Sequence, residues 1–176
     1  MNKIVSKPLR ALAAIAVSGL LLAGCATPPN TAATVNGTRY TETAIADAWE
    51  ELKPIVAAGA SADVVVSTIV QRDLLAPVAE QFDISVSQEE IDELAATAWA
   101  QSGAEAPDEL SPVAAGVLEF LTLVNKVNAS PLGAEIVEQF SLAVTTADVK
   151  VNPRFGQFDA TTGSIVPAEL PWIVQQ

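Results

Sequence analysis

The chain has 176 residues and is strongly acidic, with 9 Lys and Arg residues against 21 Asp and Glu residues and a net charge of −12. Such a surface repels nucleic acid, which excludes nucleic-acid-binding proteins from the expected classes. The chain contains no histidine and a single cysteine, which removes His-assisted triads, Cys–His dyads and the usual zinc sites. We therefore expect one domain with its own core and no catalytic, metal or cofactor site.

The first 24 residues have the layout of a secretory signal peptide, in which a basic start precedes an apolar run too short to remain as a membrane-spanning helix. The run ends in Leu22-Ala23-Gly24-Cys25, which resembles the bacterial lipobox. This resemblance implies cleavage between Gly24 and Cys25, a diacylglyceryl group on the Cys25 thiol and an acyl group on its amine. The alternative is an ordinary core cysteine beside a cleavable signal, but a lone cysteine directly after the apolar run favours the lipid.

The lipid would decide where the mature protein resides. Each buried CH₂ of an acyl chain contributes about 0.8 kcal/mol, so two or three chains anchor a protein stably. Removal of the signal leaves six basic and 21 acidic residues, a net charge of −15, so no basic patch can provide the attachment. We expect a lipid-anchored protein on the extracytoplasmic face of the cell membrane, with residues 25–32 as a short tether containing Pro and Thr.

The domain that follows the tether is predicted to begin with a β-hairpin over residues 33–40. Its two β-prone runs are joined by Asn36-Gly37, a pair that tolerates the positive φ angles of a type I′ turn. An isolated hairpin is only marginally stable in water. Residues 149–151 alternate like a short strand and, if they pair with the hairpin, supply a third strand that ties the two ends of the domain together.

Five helices are predicted between these β elements, because apolar residues recur there every three or four positions. The first runs from about Glu42 to a break at Pro54. The second covers about residues 62–82, is expected to bend at Pro77, and has the broadest apolar face, which is typical of a central core helix. We therefore predict a mainly α fold, a bundle of about five helices with a small β element formed by the N-terminal hairpin and a C-terminal strand.

The last three helices have local start signals. Ser87 and Glu90 form a capping box for the third helix, which Gly103 stops. Ser-Pro pairs at residues 111–112 and 130–131 are predicted to open the fourth and fifth helices. The residues expected to face the core are Val113, Val117, Phe120, Leu121 and Val124 in the fourth helix, and Leu132, Ile136, Val137, Phe140 and Val144 in the fifth.

Four acidic residues near the start of the third helix, Glu89, Glu90, Asp92 and Glu93, admit two interpretations. They could form an acid/base or metal site. Acidic residues in a first helical turn more often complement the positive end of the helix dipole. We prefer this second interpretation.

Three short segments resemble the N-terminal domain of SurA-type periplasmic chaperones and PrsA-like foldase lipoproteins. They are residues 33–42 with the Asn-Gly turn, residues 82–87 before the capped helix, and residues 151–156, whose Val-Asn-Pro-Arg-Phe-Gly resembles a closing segment of short lipoproteins with this domain. The resemblance covers most of residues 33–160, leaving residues 161–176 as a Pro-containing tail. It implies a helical module that shields extended apolar segments of newly exported proteins. Larger members carry a parvulin-type prolyl isomerase domain with histidines, which this chain lacks, so the resemblance implies no isomerase activity.

Binding of unfolded clients requires an apolar groove lined by adaptable side chains. The candidate client-binding residues are the aromatics Trp49, Phe82, Trp99, Phe120 and Phe140. Each also lies on a predicted helix stripe, so plain core packing is the competing interpretation, and only an exposed apolar patch favours binding. The alternative function is that of a structural or adaptor lipoprotein that docks one specific envelope partner. An enzyme is the third and least supported class.

Overall fold

The computed structural model describes residues 28–168. The lipobox with Cys25, the predicted cleavage site and the second half of the Pro-containing tail lie outside these residues. Within them the chain forms five helices and two small antiparallel sheets, which confirms the mainly α fold with a small β element. The elements in chain order are β1 Thr31–Val35, β2 Thr38–Thr41, α1 Glu42–Leu52, α2 Ala62–Glu80, α3 Gln88–Ser102, α4 Pro112–Ala129, α5 Gly133–Thr146, β3 Val149–Val151, β4 Gln157–Asp159 and β5 Ser164–Val166.

The first sheet has the strand order β2-β1-β3 and confirms the predicted third strand. Asn36 and Gly37 have φ angles of 47° and 91°, as a type I′ turn requires. Strand β3 pairs antiparallel with β1, with Val149 opposite Val35. The Asn36 side chain also accepts a hydrogen bond from the Asp148 amide at 3.0 Å. The two ends of the domain are therefore joined in one sheet.

Both predicted domain boundaries differ from the structure. The tether was expected to reach residue 32, but β1 begins at Thr31, and Thr31 and Ala32 are buried. Arg39 stabilises the start of β1, because its side chain donates hydrogen bonds to Thr31 Oγ1 and to the Pro29 carbonyl, both at 2.8 Å. At the other end, β5 pairs with β4 inside the segment expected to be a tail. Three-residue strands are too short to show an alternating pattern in the sequence. They form because a neighbouring strand offers hydrogen-bond partners.

The helix ends follow the local signals, with one exception. The capping box of Ser87 and Glu90 is formed, and Gly103 ends α3 in a left-handed conformation with φ of 72°. Ser111 caps α4. The Ser-Pro pair at 130–131 does not open α5, which begins only at Gly133. Instead, Ser130 ends α4 and its hydroxyl accepts a hydrogen bond from the Leu132 amide, because the chain must reverse direction between the two helices.

Helix α2 is central to the core, as its broad apolar face predicts. It packs against α1, α4, α5 and β1, and Pro77 lies inside it without ending it. The buried side chains form two clusters. The first joins the sheet to α1, α2, α3 and the start of α4. The second, which we call the α4–α5 cluster, consists of Leu75, Val78, Ala79, Leu123, Val127 and Ile136.

Candidate functional site

The five aromatic residues proposed to bind clients do not line a common groove. Trp99 is 2% exposed and belongs to the first core cluster, so the prediction that it lines an open groove is wrong. Its position on α3 faces inward onto the bundle, where a large indole ring fills space between elements. Five clefts of 390 to 690 Å³ on the described surface are lined by other side chains.

The other four aromatics lie at the edges of the core. Trp49 is half-buried against the first cluster, whereas Phe82, Phe120 and Phe140 are half-buried against the α4–α5 cluster. The structure therefore brings three of the predicted residues to one region, formed by the end of α2 and the α4–α5 pair. Each of the three also supports core packing there, which is the competing interpretation for these residues.

Several exposed apolar side chains lie on α5 or directly before it. Five large apolar side chains of the described residues are exposed, and three of them are Leu132 (46%), Val137 (52%) and Leu142 (56%). We call these three residues the α5 strip, although their spacing of five residues places them on different sides of the helix. The prediction that Leu132 and Val137 face the core is wrong, as is the same prediction for Leu121 on α4, which is 47% exposed. Leu142 was not singled out from the sequence.

The geometry of α5 explains why Leu132 and Leu142 are exposed. Ile136 and Val144 are its buried residues, and with Phe140 they form a narrow row of one residue in four. Leu142 lies about 200° around the helix from Phe140, on the opposite face. Leu132 precedes the helix and therefore does not belong to this buried row. The helical position of Leu142 was the one sequence signal that could have identified the strip.

Helix α5 begins in tight contact with the end of α4. A Cβ atom added to Gly133 would lie 2.5 Å from the Val127 carbonyl oxygen, a separation that real side chains do not adopt. Glycine therefore allows the closest approach of the two backbones at the turn. This contact determines which side of α5 meets the α4–α5 cluster and which side is left exposed.

The end of α4 is also joined to α3. Lys126 Nζ lies 2.6 Å from the Glu90 carboxylate and donates to the Ser85 carbonyl at 2.6 Å. The hydrogen bond from Lys126, aided by the Ser87 amide, holds the pKa of Glu90 below its ordinary value. The acidic cluster of α3 thus contains a helix-capping residue that is also an ion-pair partner, in agreement with its structural interpretation.

This pKa direction predicts an acid dependence of stability. A carboxylate whose pKa is lowered on folding stabilises the fold above its unfolded pKa and ceases to do so as the pH falls through the lower folded value. We expect Glu90→Gln to reduce the free energy of unfolding at neutral pH and to flatten its decline below about pH 4.5. Urea unfolding at a series of pH values measures both effects. The control is Glu93→Gln, an exposed residue of the same helix, and equal pH profiles for both variants would contradict the assignment.

A second polar network, not anticipated from the sequence, joins β2, α2 and α4. The Tyr40 hydroxyl donates to Asp73 Oδ2 at 2.6 Å, and Arg72 donates to Asp73 Oδ1 at 2.7 Å. Arg72 Nε lies 3.2 Å from Glu119 Oε2, although the two atoms are not aligned as a hydrogen bond. Gly116 provides the space, since a Cβ there would lie 3.0 Å from an Arg72 guanidinium nitrogen.

The chemistry of this network is structural. Burial, followed by the hydrogen bond to Asp73, raises the pKa of Tyr40 well above its ordinary value. The phenol therefore stays protonated at physiological pH and remains a hydrogen-bond donor to Asp73. A group that does not exchange its proton near neutral pH is a poor general acid or base.

Among residues 28–168, no group of three or more potential ligands is placed to hold a metal ion. No helix in the same part of the chain is long and apolar enough to cross a membrane. Comparisons of the chain with protein-family models, with curated proteins and with solved structures found no match.

Proposed function

We propose that this protein is a lipid-anchored, non-catalytic chaperone-like module that holds apolar segments of newly exported proteins at the outer face of the cell membrane. The observation that carries the proposal is the α5 strip, three large apolar side chains that are each about half exposed. Half-exposed apolar side chains of this size gain free energy when an apolar segment of another chain covers them. The lipobox and the resemblance to SurA-type and PrsA-like domains support the same proposal.

The position of the strip suits a membrane-anchored module. Asn30, at the end of the tether, and Ala62, at the start of α2, line the same cleft. The α4–α5 cluster uses residues 75–79 of α2, which lie about 20 Å further along the helix at 1.5 Å per residue. The five residue steps from Cys25 to Asn30 span at most about 18 Å. The start of α5 therefore lies about 20 Å along α2 from the cleft beside the tether, at a place that extended chains can reach.

Suppression of aggregation by the mature lipoprotein in phospholipid vesicles tests this function. Several unrelated exported proteins are diluted from denaturant, and light scattering is followed with and without the lipoprotein. We expect suppression for most clients, and we expect Val137→Ser with Leu142→Ser to remove most of it. Covering a half-exposed side chain of this size contributes about 1 kcal/mol, so the double variant should bind clients roughly ten- to thirtyfold more weakly.

The matched control is Val64→Ser. Val64 is 43% exposed at the start of α2, so it has the same chemistry at a different place. Surface substitutions of this kind change stability by about 0.5 kcal/mol or less, which keeps all variants folded. Failure with every unrelated client, together with crosslinking to one steady envelope partner, would replace the chaperone by the adaptor alternative. An unlabelled mature product after feeding a fatty acid would remove the lipid anchor.

A further inference from the structure

The turn between β1 and β2 contains a residue pair with a covalent chemistry of its own. In an Asn-Gly sequence the backbone nitrogen of the glycine can attack the side-chain amide carbon of the asparagine, because glycine has no Cβ to hinder the approach. The pair here is Asn36-Gly37, and both residues are exposed. An ideal Cβ at Gly37 would have no atom of the described domain within 4 Å beyond its chain neighbours. Solvent base and water can therefore reach the turn.

The reaction open to this pair is spontaneous deamidation. The Gly37 nitrogen loses its proton to solvent base and bonds to Asn36 Cγ, while the side-chain amide nitrogen takes up a proton and leaves as ammonia. Water then opens the resulting succinimide ring at either carbonyl and gives aspartate or isoaspartate at this position. Isoaspartate continues the chain through its side-chain carbon and adds one CH₂ to the backbone. A two-residue type I′ turn has no room for this extra atom.

The folded turn keeps the two reacting atoms apart. A φ of 47° places Asn36 in the left-handed region, where ψ is about 30–60°. At this ψ the Gly37 nitrogen lies on the opposite side of the Cα–C bond from Cβ, so Cγ cannot reach it. Ring closure needs a large rotation about the Cα–C bond. That rotation would carry Thr38 and the rest of β2 out of register with β1.

Contacts between the turn and the start of β3 oppose this rotation. The Asn36 amide donates to the Asp148 carbonyl at 2.9 Å, and Asn36 Oδ1 accepts from the Asp148 amide at 3.0 Å. We call these two hydrogen bonds the Asn36–Asp148 clamp. Beside the clamp, Val35 of β1 lies opposite Val149 of β3. The side chain that would have to react is therefore held by a residue 112 positions further along the chain.

We propose that Asn36 is a deamidation site that the fold suppresses, so that the chain is modified there only while the turn and β3 are separated. Local opening takes microseconds to seconds and is fast compared with deamidation, so the rate follows the population of the open form. Each hydrogen bond of the clamp lowers that population about fivefold, and the two together lower it about twenty- to thirtyfold. Once isoaspartate has formed, the two ends of the domain cannot be joined again in the same register.

The test compares deamidation of the mature lipoprotein in detergent with that of a synthetic peptide of residues 31–41 in the same mildly alkaline buffer. The peptide contains the same Asn-Gly pair, and an isolated hairpin is only marginally stable. Mass spectrometry follows the conversion of the asparagine with time. We expect the peptide to react at least about twenty- to thirtyfold faster. Equal rates would show that the fold does not protect Asn36, and no conversion of either molecule would remove the site.

Two substitutions of one residue test the clamp itself. Asp148→Pro removes the amide hydrogen that binds Asn36 Oδ1, and the extended Ala147, with ψ of 137°, suits a residue before proline. We expect this variant to deamidate about fivefold faster than the unmodified protein. Asp148→Ala removes the exposed ion pair with Lys150 but keeps the amide, and its rate should be unchanged.

Equal deamidation rates for the proline and alanine variants would overturn the role of the clamp. Far-UV circular dichroism shows whether both variants are folded. If Asp148→Pro does not fold, the comparison between the unmodified protein and the peptide decides the proposal.

Discussion

Replacing Trp99 by Ala is expected to lower the free energy of unfolding by about 3–5 kcal/mol, the range for removing a large buried aromatic side chain. Trp99 is 2% exposed in the first core cluster, so its loss leaves a cavity that α3 and α4 cannot fill without moving. Domains of this size have a total stability of about 5–15 kcal/mol. Equilibrium unfolding in urea, followed by far-UV circular dichroism on the mature lipoprotein in detergent, measures the change.

Trp49→Ala is the matched control, because Trp49 is only half-buried at the edge of the same cluster. Trp49→Ala should lower the free energy of unfolding by clearly less than Trp99→Ala, because the Trp49 side chain buries less apolar area on folding. The two variants also distinguish the core from a client-binding groove. If Trp99→Ala weakened client binding while leaving the unfolding midpoint unchanged, Trp99 would be a surface contact and the packing of α3 described above would be incorrect.

The second large effect is expected for Asp73→Ala, which should lower the free energy of unfolding by about 2–3 kcal/mol. Asp73 accepts hydrogen bonds from Tyr40 and Arg72 at once, and its side chain is 11% exposed. Removing one member of a buried charge network leaves the remaining charge without its partner, which costs about 3–5 kcal/mol in fully buried cases. Arg72 is 26% exposed and keeps Glu119 nearby, so the loss should be smaller than in those cases.

Tyr40→Phe provides the control for this network. It removes only the hydroxyl donor to Asp73, and a typical hydrogen bond contributes about 1 kcal/mol. The double variant Tyr40→Phe with Asp73→Ala should lower the free energy of unfolding by less than the sum of the two single effects, because the two residues share one interaction. Additive losses in urea unfolding would show that Tyr40 and Asp73 are not coupled and that β2 is held to α2 by other contacts.

The α5 helix shows how one short element serves both packing and exposure. Ile136 closes the α4–α5 cluster, while Val137, the next residue, is 52% exposed. Both are β-branched apolar residues, and composition does not distinguish them. The difference arises because α5 meets the bundle on one side only and because Gly133 brings its start directly against α4.

Much of the local structure could be predicted because each signal is completed within a few residues. The type I′ turn needs only Asn36 and Gly37, and the capping box needs only Ser87 and Glu90. The Ser-Pro pair at 130–131 shows the limit of such signals. Its residues match a helix start, but the tertiary contact between α4 and α5 delays the helix to Gly133.

The sequence alone determined the mainly α fold, the hairpin, most helix ends and the choice of α2 as the central helix, since these depend on backbone preferences and on apolar periodicity. Tertiary structure decided that Trp99 is core and that Leu132, Val137 and Leu142 are surface. It also decided that Tyr40, Arg72 and Asp73 meet. Periodicity shows that a helix has an apolar side, but the width of that side is set by how many neighbours pack against it.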